Sequence, residues 1–112
     1  MIQNQYRMKK NSEFKKVFSS GKSFASKYVI VYISRGKTKF GFIASKKIGN
    51  AVKRNRAKRL MREALRLNYG KIKDGYQIII IARANINGVC LCDVENSILY
   101  VMKKACILIK EK

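Results

Sequence analysis

Between Ser45 and Arg66 the chain reads SKKIGNAVKRNRAKRLMREALR, and no other segment restricts the possible folds as strongly. It carries Lys46, Lys47, Lys53, Arg54, Arg56, Lys58, Arg59, Arg62 and Arg66 against one carboxylate, Glu63. Its apolar residues nevertheless keep a helical rhythm. At about 100° per residue, Ala57, Leu60, Met61, Ala64, Leu65 and Leu67 fall within an arc of about 160°. Lys58, Arg59, Arg62 and Arg66 fall on the other side, with Asn55 and Arg56 among them. Lys53 and Arg54 lie nearer the apolar azimuth but occupy the first turn, where they can project beyond the edge of a core. The segment is therefore expected to be a helix with one face anchored in a core and a dense cationic face turned outward. A polyanion is the natural partner of such a face.

Gly49-Asn50 breaks the chain ahead of this helix. Asn50 can cap it, so the helix is expected from Ala51 to about Tyr69, with Gly70 as its stop. Cations near a helix N-terminus are disfavoured by the helix dipole. Lys53, Arg54 and Arg56 thus cost stability until an anion arrives, and the free N–H groups of the first turn could bind that anion too. Arg offers a planar fork that matches phosphate, and Asn can both donate and accept toward a sugar hydroxyl or base edge.

The whole chain has 112 residues, which suggests a single domain with one modest core, preceded by a basic arm over residues 1–10. An apolar fraction of 47% argues against disorder despite a formal charge of +20. The charge is uneven: residues 1–70 hold 19 basic and 2 acidic side chains, residues 71–112 hold 7 and 4. Polyanion chemistry is thus expected in the first two thirds, with nucleic acid ahead of an anionic membrane surface, since no segment pairs a basic face with large exposed aromatics. MIQNQYRMKK lacks an apolar run, so neither a secretory signal nor a membrane span is expected, and a cytoplasmic location follows. Cys90, Cys92 and Cys106 are too few for a zinc site without His, and are expected to be reduced, partly buried thiols.

The remaining elements follow from pattern. Asn11 or Ser12 can cap a short helix to about Ser20, where Gly21 stops it, and Phe14 and Phe18 share one of its faces. FASKYVIVYIS (24–34) reads as one strand, and TKFGFIAS (38–45) as its hairpin partner across Arg35-Gly36-Lys37. GYQIIIIA (75–82) reads as a strand buried on both faces. Asp93 can cap a last helix to about Lys110, with Val94, Ile98, Val101, Met102, Ala105 and Ile109 at helical spacing. The expected order is α-β-β-α-β-α: an α/β sandwich, or α+β fold, with helices packed on a small mixed sheet.

SKKIGNAVKRNRAKRLMREALR closely resembles the signature segment of the bacterial ribonuclease P protein subunit family. There a Lys-rich loop with Gly-Asn leads into a helix carrying Arg-Asn-Arg, here Arg54-Asn55-Arg56, followed by further basic residues, here Lys58, Arg59, Arg62 and Arg66. The resemblance covers nearly the whole chain. RMKKNSEFKKVFSSGKSF looks like the family's opening helix, with Phe14 and Phe18 at its aromatic positions, and GYQIIIIAR is similar to the strand after the basic helix. Residues 84–92 carry none of the match. The resemblance implies an α/β sandwich whose strand–helix–strand unit crosses over left-handedly, against the right-handed form that general rules favour.

It also implies two RNA surfaces. The catalytic RNA subunit would meet Lys46, Lys47, Lys53, Arg54, Asn55, Arg56, Lys58, Arg59, Arg62 and Arg66. A cleft between the first helix and the sheet would hold the single-stranded 5′ leader of precursor tRNA. Phe14, Phe18 and Tyr32 would stack bases there, Ser45 and Lys47 would supply polar contacts, and Lys10, Lys15 and Lys16 would track phosphates. Without the resemblance, a Phe pair at this spacing reads as core. Val17 is expected in the core and Tyr28 at the surface.

The implied activity is endonucleolytic 5′ maturation of tRNA, with Mg²⁺ and the active site held by the RNA and no metal or catalytic group in the protein. The sequence agrees: it has no His, and of its six carboxylates only Asp93 and Glu95 lie close together. The rival readings are a structural RNA-binding protein, such as a small ribosomal protein, and a stand-alone nuclease.

Overall fold

The isoleucines at 78–81 form the centre of the molecule. In the computed structural model, which describes residues 11–73 and 75–107, they lie in β4 (Tyr76–Ala82). Ile78, Ile79 and Ile80 have no exposed surface. A strand buried on both faces needs cover on both, and the chain supplies it. Ile78 and Ile80 pack with the residues of α2 (Ala51–Asn68) and α3 (Leu91–Lys104). Ile79 packs with Val17 of α1 (Asn11–Ser20) on the other face.

The sheet has four strands in the order β1-β2-β4-β3. β1 (Lys22–Ala25) runs antiparallel to β2 (Val29–Arg35), and β2 runs antiparallel to β4 with Tyr32 opposite Ile79. β3 (Lys39–Ile43) lies parallel to β4, with Phe42 opposite Ile80. The element order is α-β-β-β-α-β-α. β3, α2 and β4 form the strand–helix–strand unit to which the expected left-handed crossover refers.

Several expectations need correction. The 24–34 stretch is two strands, because the chain reverses at Ser26–Tyr28. There the Ser26 backbone N–H and hydroxyl both donate to the Val29 carbonyl, at 2.9 and 3.0 Å. β2 and β3 are consecutive but do not form a hairpin, since β4 is inserted between them and satisfies both inner edges. The last helix begins at Leu91, so Asp93 sits in its first turn and Cys90 holds the cap position. That helix ends at Lys104, where the chain turns through Cys106 at φ 61°, and Ile109 lies outside the described residues. Asn11 and Ser12 already belong to α1.

Gly21 is required by close approach. A Cβ there would stand 2.5 Å from the Val17 carbonyl oxygen and 2.9 Å from that of Ile33. The missing side chain lets the end of α1 drop onto β2, where the Ser20 and Ser34 hydroxyls are 3.3 Å apart. The three cysteines are free and exposed, not partly buried as expected.

Candidate nucleic-acid interface

The basic helix is built as its sequence requires. Gly49 takes φ 135°, a left-handed conformation that suits glycine, and delivers Asn50 to the cap position. The Asn50 side-chain oxygen accepts from the Lys53 N–H at 3.0 Å. Ala57, Met61, Ala64 and Leu65 are buried and Leu60 is half-buried, which fixes the rotation of the helix. Ahead of it, Ser45 stands at the start of a short 3₁₀ turn, Lys46–Ile48, where its carbonyl accepts from the Ile48 N–H at 3.0 Å. Ile48 is buried, and its carbonyl accepts from the Asn87 side chain at 2.7 Å, so Lys46 and Lys47 extend from an anchored turn.

Lys46, Lys47, Lys53, Asn55, Arg56, Arg59 and Arg66 are exposed. Three basic residues are not simply outward. Arg54, Lys58 and Arg62 are half-buried along one flank of α2, and the Arg62 guanidinium lies 5.9 Å from the centre of the Phe42 ring. The buried arc is thus rotated from the expected one. Leu67, expected inside, is 49% exposed, while Asn68 is buried and donates to the Ala64 carbonyl at 2.9 Å. Arg66 holds Glu63 through its Nε and its terminal nitrogen. This hydrogen bonding keeps the Glu63 carboxyl below the usual glutamate range and raises Arg66 further.

The other candidate surface lies on the opposite face of the sheet. Phe14 and Tyr32 are half-buried against Val17 and Ile79, together with Ile43 and Ile81. Phe18 is 39% exposed, and its ring meets Tyr32 edge to face with centroids 4.9 Å apart. Val17 is fully buried and Tyr28 is half-buried rather than at the surface. The C-terminal ends of α1 and β2 meet at Ser20 and Ser34, while Phe14, nearer the start of α1, groups with Ile43 at the end of β3 from which the chain continues to Ser45. Ser45, Lys47 and Lys15 are exposed, while Lys10 lies outside the described residues. Ser45–Lys47 lies within the connection from β3 to α2, residues 44–50, so one short loop joins the two candidate surfaces.

The fold is found in known proteins. A family model described as Ribonuclease P matches residues 2–106. The chain belongs to the ribonuclease P protein family. It is 44% identical over 106 residues to the ribonuclease P protein component of Clostridioides difficile, covering 91% of this chain and 93% of that one. It is 41% identical over 106 residues to that of Alkaliphilus metalliredigens, covering 92% and 96%. Among solved structures, a mutant of the Staphylococcus aureus RNase P protein superposes with a TM-score of 0.82 at 34% identity, covering 92% of this chain and 90% of that one. The RNase P protein from Thermotoga maritima gives 0.79 at 28%, covering 94% and 98%. The relatives share the mixed α+β fold, and membership makes the chain a protein component of ribonuclease P, the endoribonuclease that matures tRNA 5′ ends. No helix among the described residues is long and apolar enough to cross a membrane.

Proposed function

We propose that the chain is the non-catalytic subunit of this ribonucleoprotein and binds RNA through two surfaces with different tasks. The Lys46–Arg66 face docks on the ribonuclease P RNA, and the Phe14–Phe18–Tyr32 cleft takes the 5′ leader of precursor tRNA. The observation that carries this reading is the Phe18–Tyr32 pair. Two aromatic rings in contact, one of them 39% exposed, lie on the sheet face away from the basic helix. Stacking on such rings favours bases with little regard to sequence, which suits an enzyme that accepts many leaders. Mature tRNA lacks the leader, so contacts in the cleft favour substrate over product.

The docking face supplies charge. Its cations release counterions from the RNA phosphates and offset their repulsion. Arg54 Nε is shielded from solvent without a hydrogen-bond acceptor, a cost that an arriving phosphate would offset if the side chain turned toward it. Catalysis is assigned to the RNA, with Mg²⁺ held by RNA and substrate. The absence of His and the scatter of six carboxylates along the chain support that assignment. The setting is the cytoplasm, where precursor tRNA is processed.

The test is cleavage of precursor tRNA by the protein alone, by the RNA subunit alone and by both, at low Mg²⁺. Cleavage that needs the RNA and is stimulated by the protein is expected. Cleavage by the protein alone would overturn the assignment of chemistry to the RNA.

A further inference from the structure

Besides Phe18, the exposed large aromatic among the described residues is Tyr100, at 56%. It lies on α3, and the hollow it lines includes no residue of the basic helix or the leader cleft. Tyr100 and Tyr28 line an open hollow of about 490 Å³ between α3 and the β1–β2 reversal. Asp93, Asn96 and Ser97 of α3 line it too, with Lys27 on the reversal. The Lys27 ammonium lies 5.3 Å from the Tyr28 ring centre, and the Lys104 ammonium 5.6 Å from that of Tyr100.

The wall that carries Lys27 and Tyr28 is held in place. Arg83 donates through its guanidinium to the Ser26 carbonyl at 2.9 Å and through its backbone to the Tyr28 carbonyl at 3.0 Å. Asn85 donates to the Lys27 carbonyl at 2.9 Å. The hollow is thus shaped before any ligand arrives. Nothing in the leader cleft or on the basic helix uses it.

We propose that this hollow is a third RNA contact, which takes an unpaired nucleotide from a single-stranded segment. The exposed Tyr100 ring offers a stacking surface beside the half-buried Tyr28, and Lys27 in the lining with Lys104 beside the Tyr100 ring supplies positive charge suited to the flanking phosphates. The Asp93 carboxylate repels phosphate but accepts hydrogen bonds from an amino group, and Asn96 can both donate and accept. Cys90 Sγ donates to one Asp93 oxygen at 3.2 Å and leaves the carboxylate further acceptor capacity. The site therefore favours bases with an exocyclic amino group, adenine, cytosine or guanine, over uracil. It stands apart from the leader reading and is tested with that cleft disabled.

The experiment measures binding of labelled cytidine and uridine octaribonucleotides to the full chain carrying Phe18→Ala, at a salt concentration that suppresses unspecific attraction. Adding Tyr100→Ala is expected to weaken cytidine binding about fivefold or more, while Tyr100→Phe preserves it. Uridine binding is expected to be weaker from the start. Tyr100 is more than half exposed, and an unchanged melting temperature checks that the fold is intact. Equal affinity with and without Tyr100→Ala, or equal affinity for the two octamers, would overturn the proposal.

Discussion

The Phe18 ring meets the Tyr32 ring edge to face at 4.9 Å, across the seam between α1 and β2. The contact orients an aromatic side chain that remains partly open to solvent. Truncating Phe18 removes a stacking surface and little core. Phe18→Ala is expected to weaken precursor tRNA binding to the assembled complex by about 1–3 kcal/mol, and mature tRNA binding much less. Binding titrations with both RNAs check this, and thermal melting checks that the fold is intact.

Gly21 predicts the opposite profile. Gly21→Ala forces a Cβ against two carbonyl oxygens and pushes α1 away from β2. The expected loss is about 1–3 kcal/mol of stability in a urea titration, with leader binding reduced as a consequence.

Replacing Arg54 and Arg56 by Ala should act on salt dependence. A chain that neutralises fewer phosphates releases fewer counterions. The slope of log affinity for the RNA subunit against log salt therefore becomes shallower, by about one for each phosphate no longer neutralised. Affinity measured at several salt concentrations reads this directly.

Glu63 is the only carboxylate within the basic segment and occupies Arg66. Its folded-state carboxyl lies below the usual glutamate range, because it is hydrogen-bonded to Arg66. The pair's small contribution to stability is therefore present above the unfolded-state value and is lost as pH falls through the lowered one. Carbon-detected NMR titration of the Glu63 carboxyl should show this lowered midpoint. Glu63→Gln frees Arg66 at neutral pH and is expected to strengthen binding to the RNA subunit, with a steeper salt slope.

The legible parts of the fold were those governed by local rules. Asn50 capping, the Ala57–Met61–Ala64–Leu65 stripe and the double burial of the isoleucines at 78–80 each follow from residues close in sequence. The β2–β4–β3 order did not follow, because the insertion of β4 is decided by pairings between strands far apart in sequence. The reversal at Ser26–Tyr28 contains no Gly or Pro. It is made by Ser26 hydrogen bonds and by Arg83 and Asn85, the latter two supplied through tertiary contacts. On the basic helix, periodicity placed the core face but not its rotation, so Leu67 and Arg62 changed roles. Arg62 is drawn toward the Phe42 ring, and composition carries no signal for that contact. Tyr28 was expected at the surface, but it became half-buried against the core when the strand split.

The protein's main task in this reading is to recognise what distinguishes substrate from product. The most direct measurement is the affinity of the assembled ribonucleoprotein for precursor and for mature tRNA, with the wild-type chain and with Phe18→Ala. Tighter binding of the precursor by the wild-type complex, largely abolished in the variant, is the predicted result. Equal affinity of the wild-type complex for the two RNAs would contradict it.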